Sequence, residues 1–127
     1  MTMMINQLPD RVKQGIRTFN QGKFFAAHEF FEDAWRETPD DTREFYRALL
    51  HISGGFFRLT QERPSAALKF FTRAQHWLGF FSDTHMGLDV DDLRTQLDQL
   101  IDEIESSQAA KVILEYHTFQ IGWESQE

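Results

Sequence analysis

The chain has no cysteine. That excludes a disulfide framework, a thiolate nucleophile and a thiolate zinc site, so any metal here must be held by His, Asp or Glu. Proline is scarce, three in 127 residues, and each stands at a loop or a helix start rather than inside a periodic segment. No run of about 18 apolar residues occurs, which argues against a membrane-spanning helix. The opening residues Met1-Thr2-Met3-Met4-Ile5-Asn6-Gln7 lack a basic n-region and a long apolar h-region, so no secretory signal is expected and the expected location is cytoplasmic. There is no glycine-rich phosphate loop. Positive charge is also short: the formal net charge is −7, which disfavours nucleic acid as a partner. The acidic helix faces are wrong for a lipid surface.

What is abundant is phenylalanine, 13 residues in a chain that is 41 % hydrophobic. That is enough to bury a core, and residues 1–127 are expected to form a single helical domain. The charge is unevenly placed. Residues 43–76 hold six basic and two acidic side chains, a net of +4, leaving −11 elsewhere. This suits solvated helix faces, an anion-facing surface or a self-complementary contact.

Apolar periodicity predicts five helices. The first runs from Pro9 to about Asn20 and ends at Gly22, where a left-handed residue is cheap. The second covers about Lys23–Glu37, and Thr38–Thr42 is a loop offering Asp40, Asp41 or Thr42 as an N-cap. The third, roughly 42–61, carries the widest apolar face and is expected to touch two neighbours. Its Gly54-Gly55 pair costs about 1 kcal/mol per glycine against alanine, so a close backbone or ligand approach is expected there. The fourth runs from Pro64 to about Phe81, Ser82–Leu88 is a loop, and the fifth spans Asp89–Ser106. In the tail, 107–127, the segments Val112–Tyr116 and Phe119–Trp123 look extended and are expected to lie back across the bundle.

Residues 15–37 and 55–77 align without gaps, with seven identities in 23 positions. Two stacked helical hairpins explain the spacing. The fold class is therefore all-α, two antiparallel hairpins plus a fifth helix and an extended tail. Where the first copy has His28 and Glu32, the second has Leu68 and Thr72, so the hairpin itself requires neither a histidine nor a carboxylate at those places.

His28 and Glu32 stand at i and i+4, with Phe31 and Trp35 on the same helical face. Glu29 points outward. His28, Phe31, Trp35, Leu49, Ile52, Phe56, Phe70, Phe71, Ala74 and Trp77 are expected in one buried cluster. An ionisable pair there must be satisfied, and three arrangements would do it. In the first, His28 bonds Glu32 with the Trp35 indole as a second donor. In the second, His28 and Glu32 hold a divalent metal with His51 as third ligand, His76, His85 and Glu44 being reserves. In the third, the pair lines a small-ligand pocket. His51 shares a face with Arg47, Gly54 and Arg58, away from the main apolar stripe.

The run Gly22-x-Phe24-x-x-Ala27-His28-Glu29-x-x-Glu32-x-x-Trp35 resembles the domain-of-unknown-function 309 family of bacterial and archaeal helical proteins. Residues 10–82 carry the likeness. Arg47–Leu59 and Ala66–Leu78 are similar to its second segment, with His51 where the family has glutamine and Glu-Arg-Pro where it has Gly-Asn. The resemblance implies a helical fold and a suggested metal site on the His and Glu, with no assigned activity. The expected function is thus an uncharacterised helical module with a metal or small-ligand pocket. The alternative is a metal-dependent, hydrolase-like enzyme using Glu32 or Glu29 as base. Convergence of three or more His, Asp or Glu groups would favour the enzyme, and two the module. The exposed Phe30 and the charge split suggest a homodimer.

Overall fold

Short connections force consecutive helices to pack side by side, and this chain follows that rule throughout. A computed structural model describes residues 8–106, 111–112 and 119–122. Among these, α1 (Asp10–Asn20), α2 (Phe24–Glu37), α3 (Thr42–Thr60), α4 (Pro64–Leu78) and α5 (Val90–Glu105) follow in order. Each packs on the next, so the all-α array is read along the chain. α3 lies in the middle and buries Phe45, Tyr46, Ala48, Leu49, Ile52, Ser53, Gly54, Gly55, Phe56 and Leu59, the broad face its sequence demands. No helix of the described residues is long and apolar enough to cross a membrane.

The internal repeat is visible in the backbone. After α1, Gly22 N–H donates to Phe19 O at 2.8 Å and Lys23 N–H to Thr18 O at 3.0 Å. After α3, Glu62 N–H donates to Leu59 O at 2.9 Å and Arg63 N–H to Arg58 O at 3.0 Å. The two turns are the same C-terminal cap, with Gly22 at φ 83° and Glu62 at φ 57°. The hairpins also share a lock. A Cβ on Gly15 would stand 2.6 Å from Cε1 of the Phe31 ring, and one on Gly55 would collide in the same way with Phe71. Gly15 and Gly55 correspond in the repeat, as do Phe31 and Phe71, so these identities are a packing device.

Two regions differ from expectation. Between α4 and α5, Thr84–His85 (β1) pairs with Leu88–Asp89 (β2) in a small antiparallel hairpin. Its two-residue turn has Met86 at φ 55° and Gly87 at φ 80°, the geometry that matches strand twist. α4 ends at Leu78 rather than Phe81. The Arg94 guanidinium bonds Leu78 O at 3.1 Å, Phe81 O at 2.8 Å and Asp83 Oδ1 at 2.6 Å, which draws the chain out of the helix. In the tail, Lys111 and Val112 are helical, correcting the extended reading there, while 113–118 and 123 lie outside the described residues. Phe119–Gly122 does lie back across the bundle. Asn20 pairs with Ile121 through its side-chain amide, donating to Ile121 O at 3.0 Å and accepting from Ile121 N–H at 2.9 Å. Gln96 does the same for Gln120, and the Phe119 ring closes on Phe56 at 4.8 Å.

Candidate functional site

α2 sends Phe24, Ala27, Phe31 and Ala34 into the core. His28, Glu32 and Trp35 lie beside that stripe and are half-buried. Of the cluster expected to be buried, Phe31, Leu49, Ile52, Phe56, Phe71 and Ala74 are inside, whereas His28, Trp35, Phe70 and Trp77 border a crease open to solvent. The crease runs along the α3 face that carries Arg47, His51, Gly54 and Arg58, with α2 and α4 as its walls.

The expected His28–Glu32–Trp35 bond network is not formed. Glu32 accepts from Arg36 Nη2 at 3.0 Å, one turn further along its own helix. The Trp35 indole N–H is buried with no acceptor. Its ring instead stacks under two guanidiniums, Arg43 at 4.8 Å and Arg47 at 5.2 Å from the centroid. Arg47 also lies 4.7 Å over the Trp77 ring, so one cation is held between two indoles. Its Nε is 3.0 Å from Glu44 Oε1, an ion pair off the line of a good hydrogen bond, and that carboxylate oxygen is otherwise buried without a partner.

The two histidines of the crease are both held below the ordinary imidazole range. His51 is pushed down to about 4, first by burial, then by the positive charges of Arg73 and Arg47 and by His28. His28 is also lowered, chiefly by burial and in small part by Arg58, with Glu32 and Glu29 pulling the other way. His28 is thus one of the groups acting on His51. Glu29 is exposed on the outer face. His76 sits against Trp77 and Phe80, and His85 lies 3.3 Å from Thr42 Oγ1; neither enters the crease. Among the described residues no three His, Asp or Glu side chains converge as a metal cage. Two imidazoles remain that could ligate an ion; around His28 the carboxylates Glu32 and Glu29 oppose Arg58, and around His51 the charges are the guanidiniums of Arg73 and Arg47.

At the Gly54 end the crease deepens to a cavity of about 110 Å³ lined by Phe25, His28, Gly54, Phe57, Arg58 and Phe70. A Cβ on Gly54 would stand 3.0 Å from Phe70 Cδ1 and 3.7 Å from His28 Cδ2, so the missing side chain helps to make the floor. Gly54 stands one residue before the second copy of the repeat, and the residue before the first copy is Gln14, not a glycine. The walls are flat rings. Phe25 and His28 are nearly parallel with centroids 6.3 Å apart, and Phe25 meets Phe57 at 5.4 Å. Phe25 is 55 % exposed although it is a large apolar side chain. Arg58 lies 5.4 Å over Phe70 and bonds Gln61 Oε1 at 3.3 Å. Such a cavity offers ring faces, an imidazole and one guanidinium to a guest. Phe25, Phe57 and Phe70 escaped the sequence reading as site residues, for nothing but the adjacent glycines separates them from the core phenylalanines.

No curated protein matches the chain. The family model described as Domain of unknown function (DUF309) matches residues 12–70, a segment that contains every residue lining the cavity, and that segment is a domain of this family.

Proposed function

We propose that the chain is a binding module whose crease takes the ring-sized end of a small anionic ligand. The observation that carries this reading is the bare backbone of Gly54 between His28 and Phe70. Gly15 and Gly55 are filled by phenylalanine rings of the fold, whereas Gly54 opens on a cavity. An aryl group fits between the rings, and a carboxylate or phosphate answers Arg58, with Arg47 and Arg73 adding to the positive field. The His28 imidazole makes no hydrogen bond among the described residues and can offer one to the guest. A divalent metal at His28, with Glu32 or His51, fits less well, since Glu32 is engaged by Arg36 and no three His, Asp or Glu side chains converge among the described residues. The same reading keeps the module away from nucleic acid, whose polyanion would meet a chain of net charge −7, and leaves it in the cytoplasm. The proposed homodimer requires a mass in light scattering of twice 15.0 kDa.

Calorimetric titration with benzoate tests the pocket. Binding is expected in the millimolar range, about −4 kcal/mol. Arg58→Gln should weaken it about tenfold or more, the worth of a charge-assisted hydrogen bond, and uncharged benzyl alcohol should bind more weakly than benzoate. Equal binding of the two probes, or indifference to Arg58→Gln, would remove the anion from the reading.

A further inference from the structure

A larger concavity, about 370 Å³, lies where the end of α4 passes over the start of α3, lined by Asp41, Glu44, Trp77, Phe80 and Phe81. Its chemistry is the reverse of the crease. The walls are three aromatic rings and the polar groups are two carboxylates.

Each part is in an unusual state for a merely structural role. Phe80 is 68 % exposed, and it is held in place by ring contacts, Trp77 at 5.9 Å and the His76 imidazole at 5.3 Å. Asp41 occupies the N-cap position of α3 but makes no capping bond. Asp40 serves the turn instead, its Oδ1 accepting from Thr42 N–H at 2.9 Å. Asp41 therefore presents a carboxylate with no hydrogen bond or salt bridge among the described residues. Glu44 is paired with Arg47, whose guanidinium also covers one face of the Trp77 ring, and Asp41 leaves one unpaired carboxylate at the rim.

A ring quadrupole attracts cations at its face, and aromatic walls with a carboxylate at the rim favour a soft, weakly hydrated ammonium over a hard metal ion. We propose that this pocket binds an alkylammonium group, best in its N-methylated form. The group is either a free small molecule or the end of a lysine side chain. Glu44 and Gly54 are ten residues apart on one helix, about 15 Å along the axis, so the cation pocket lies apart from the Gly54 cavity although Trp77 borders both it and the crease.

Choline and its uncharged isostere 3,3-dimethyl-1-butanol are the probes, followed through the Trp77 indole N–H and the Phe80 ring in NMR spectra of the full chain. Choline should give saturable shifts at both residues. The isostere should bind at least tenfold more weakly. Asp41→Asn and Phe80→Ala, both at exposed positions, should each weaken choline at least threefold while leaving the melting temperature within a few degrees of wild type. Nα-acetyl-trimethyllysine methyl ester distinguishes the sources: tenfold tighter binding than choline assigns a lysine side chain, and equal binding a free ammonium. Equal affinity for choline and the isostere would show an apolar pocket without cation preference and overturn the proposal. Absence of any shift at 50-fold molar excess and millimolar protein would do the same, as would choline shifts that survive both substitutions unchanged.

Discussion

Adding one methyl group at Gly54 and, in a separate protein, at Gly55 distinguishes a glycine kept for a cavity from a glycine kept for packing. Both are in the interior of α3, so Gly→Ala gains about 1 kcal/mol of helix propensity at either place. The contacts then decide. At Gly55 the new Cβ would lie 2.7 Å from Cδ1 and 2.8 Å from Cζ of Phe71, a ring with no exposed surface. Forcing such a ring aside costs about 1–3 kcal/mol, so Gly55→Ala should be less stable than wild type by up to about 2 kcal/mol once the propensity gain is set against it. At Gly54 the nearest atoms are Phe70 Cδ1 at 3.0 Å and Cε1 at 3.1 Å. Phe70 borders the crease and can give by a few tenths of an ångström. Gly54→Ala should therefore range from unchanged to about 1 kcal/mol more stable, and it should lose benzoate affinity. At about 3–5 °C per kcal/mol for a domain of this size, thermal melts resolve the two signs, and urea titrations check them. A Gly54→Ala protein destabilised as much as Gly55→Ala would show that Gly54 serves packing, and the cavity would lose its meaning.

Further outcomes follow from the same geometry. Glu32→Gln should cost no more than about 0.5 kcal/mol in a urea titration, because its partner is a solvent-exposed Arg36 at i+4; a loss well above that would restore the His28–Glu32 bond. The same substitution should lower the His28 pKa further in an NMR titration, since the Glu32 charge is one of those raising it. With His51 near 4 when folded and 6.5 when unfolded, the unfolded chain binds the proton more tightly. Stability is then fully present above pH 6.5 and falls as the pH drops from 6.5 towards 4. That limb is worth at most about 3 kcal/mol, and roughly half of it with solvent screening; it should flatten in His51→Gln when melts of the two proteins are compared across that window. Trp35→Phe removes a buried indole N–H that has no acceptor, which offsets the lost ring area, so it should change stability by less than about 1 kcal/mol.

The fold was legible where one signal dominates. Apolar spacing placed the five helices to within a few residues, and the repeat foretold two equal hairpins because each copy must seat the same phenylalanine on the same glycine. The β-hairpin was not legible, because Met86-Gly87 is a poor match to the Asn-Gly or Asp-Gly turn that signals one. The C-terminal end of α4 was set too late because the periodicity runs on to Phe81, and only Arg94, sixteen residues beyond Leu78, draws the chain away. At the site, the shared face of Arg47, His51, Gly54 and Arg58 was readable from spacing alone. The partner of Glu32 was not. A carboxylate at i+4 from both a histidine and, on its other side, Arg36 has two local choices, and the spacing does not rank them. Phe30, expected to be exposed, is half-buried, and the exposed phenylalanines among the described residues are Phe25 and Phe80; composition counts phenylalanines without saying which face each takes.

The most direct test of the ligand crease is a benzoate titration observed residue by residue in NMR spectra. Saturable shifts should centre on the Gly54 amide and on the rings of His28, His51, Phe57 and Phe70. The bound anion should also raise the pKa of both histidines, because it favours their charged forms. Unsaturable shifts spread over surface arginines and lysines, with both histidine pKa values unmoved, would contradict the account.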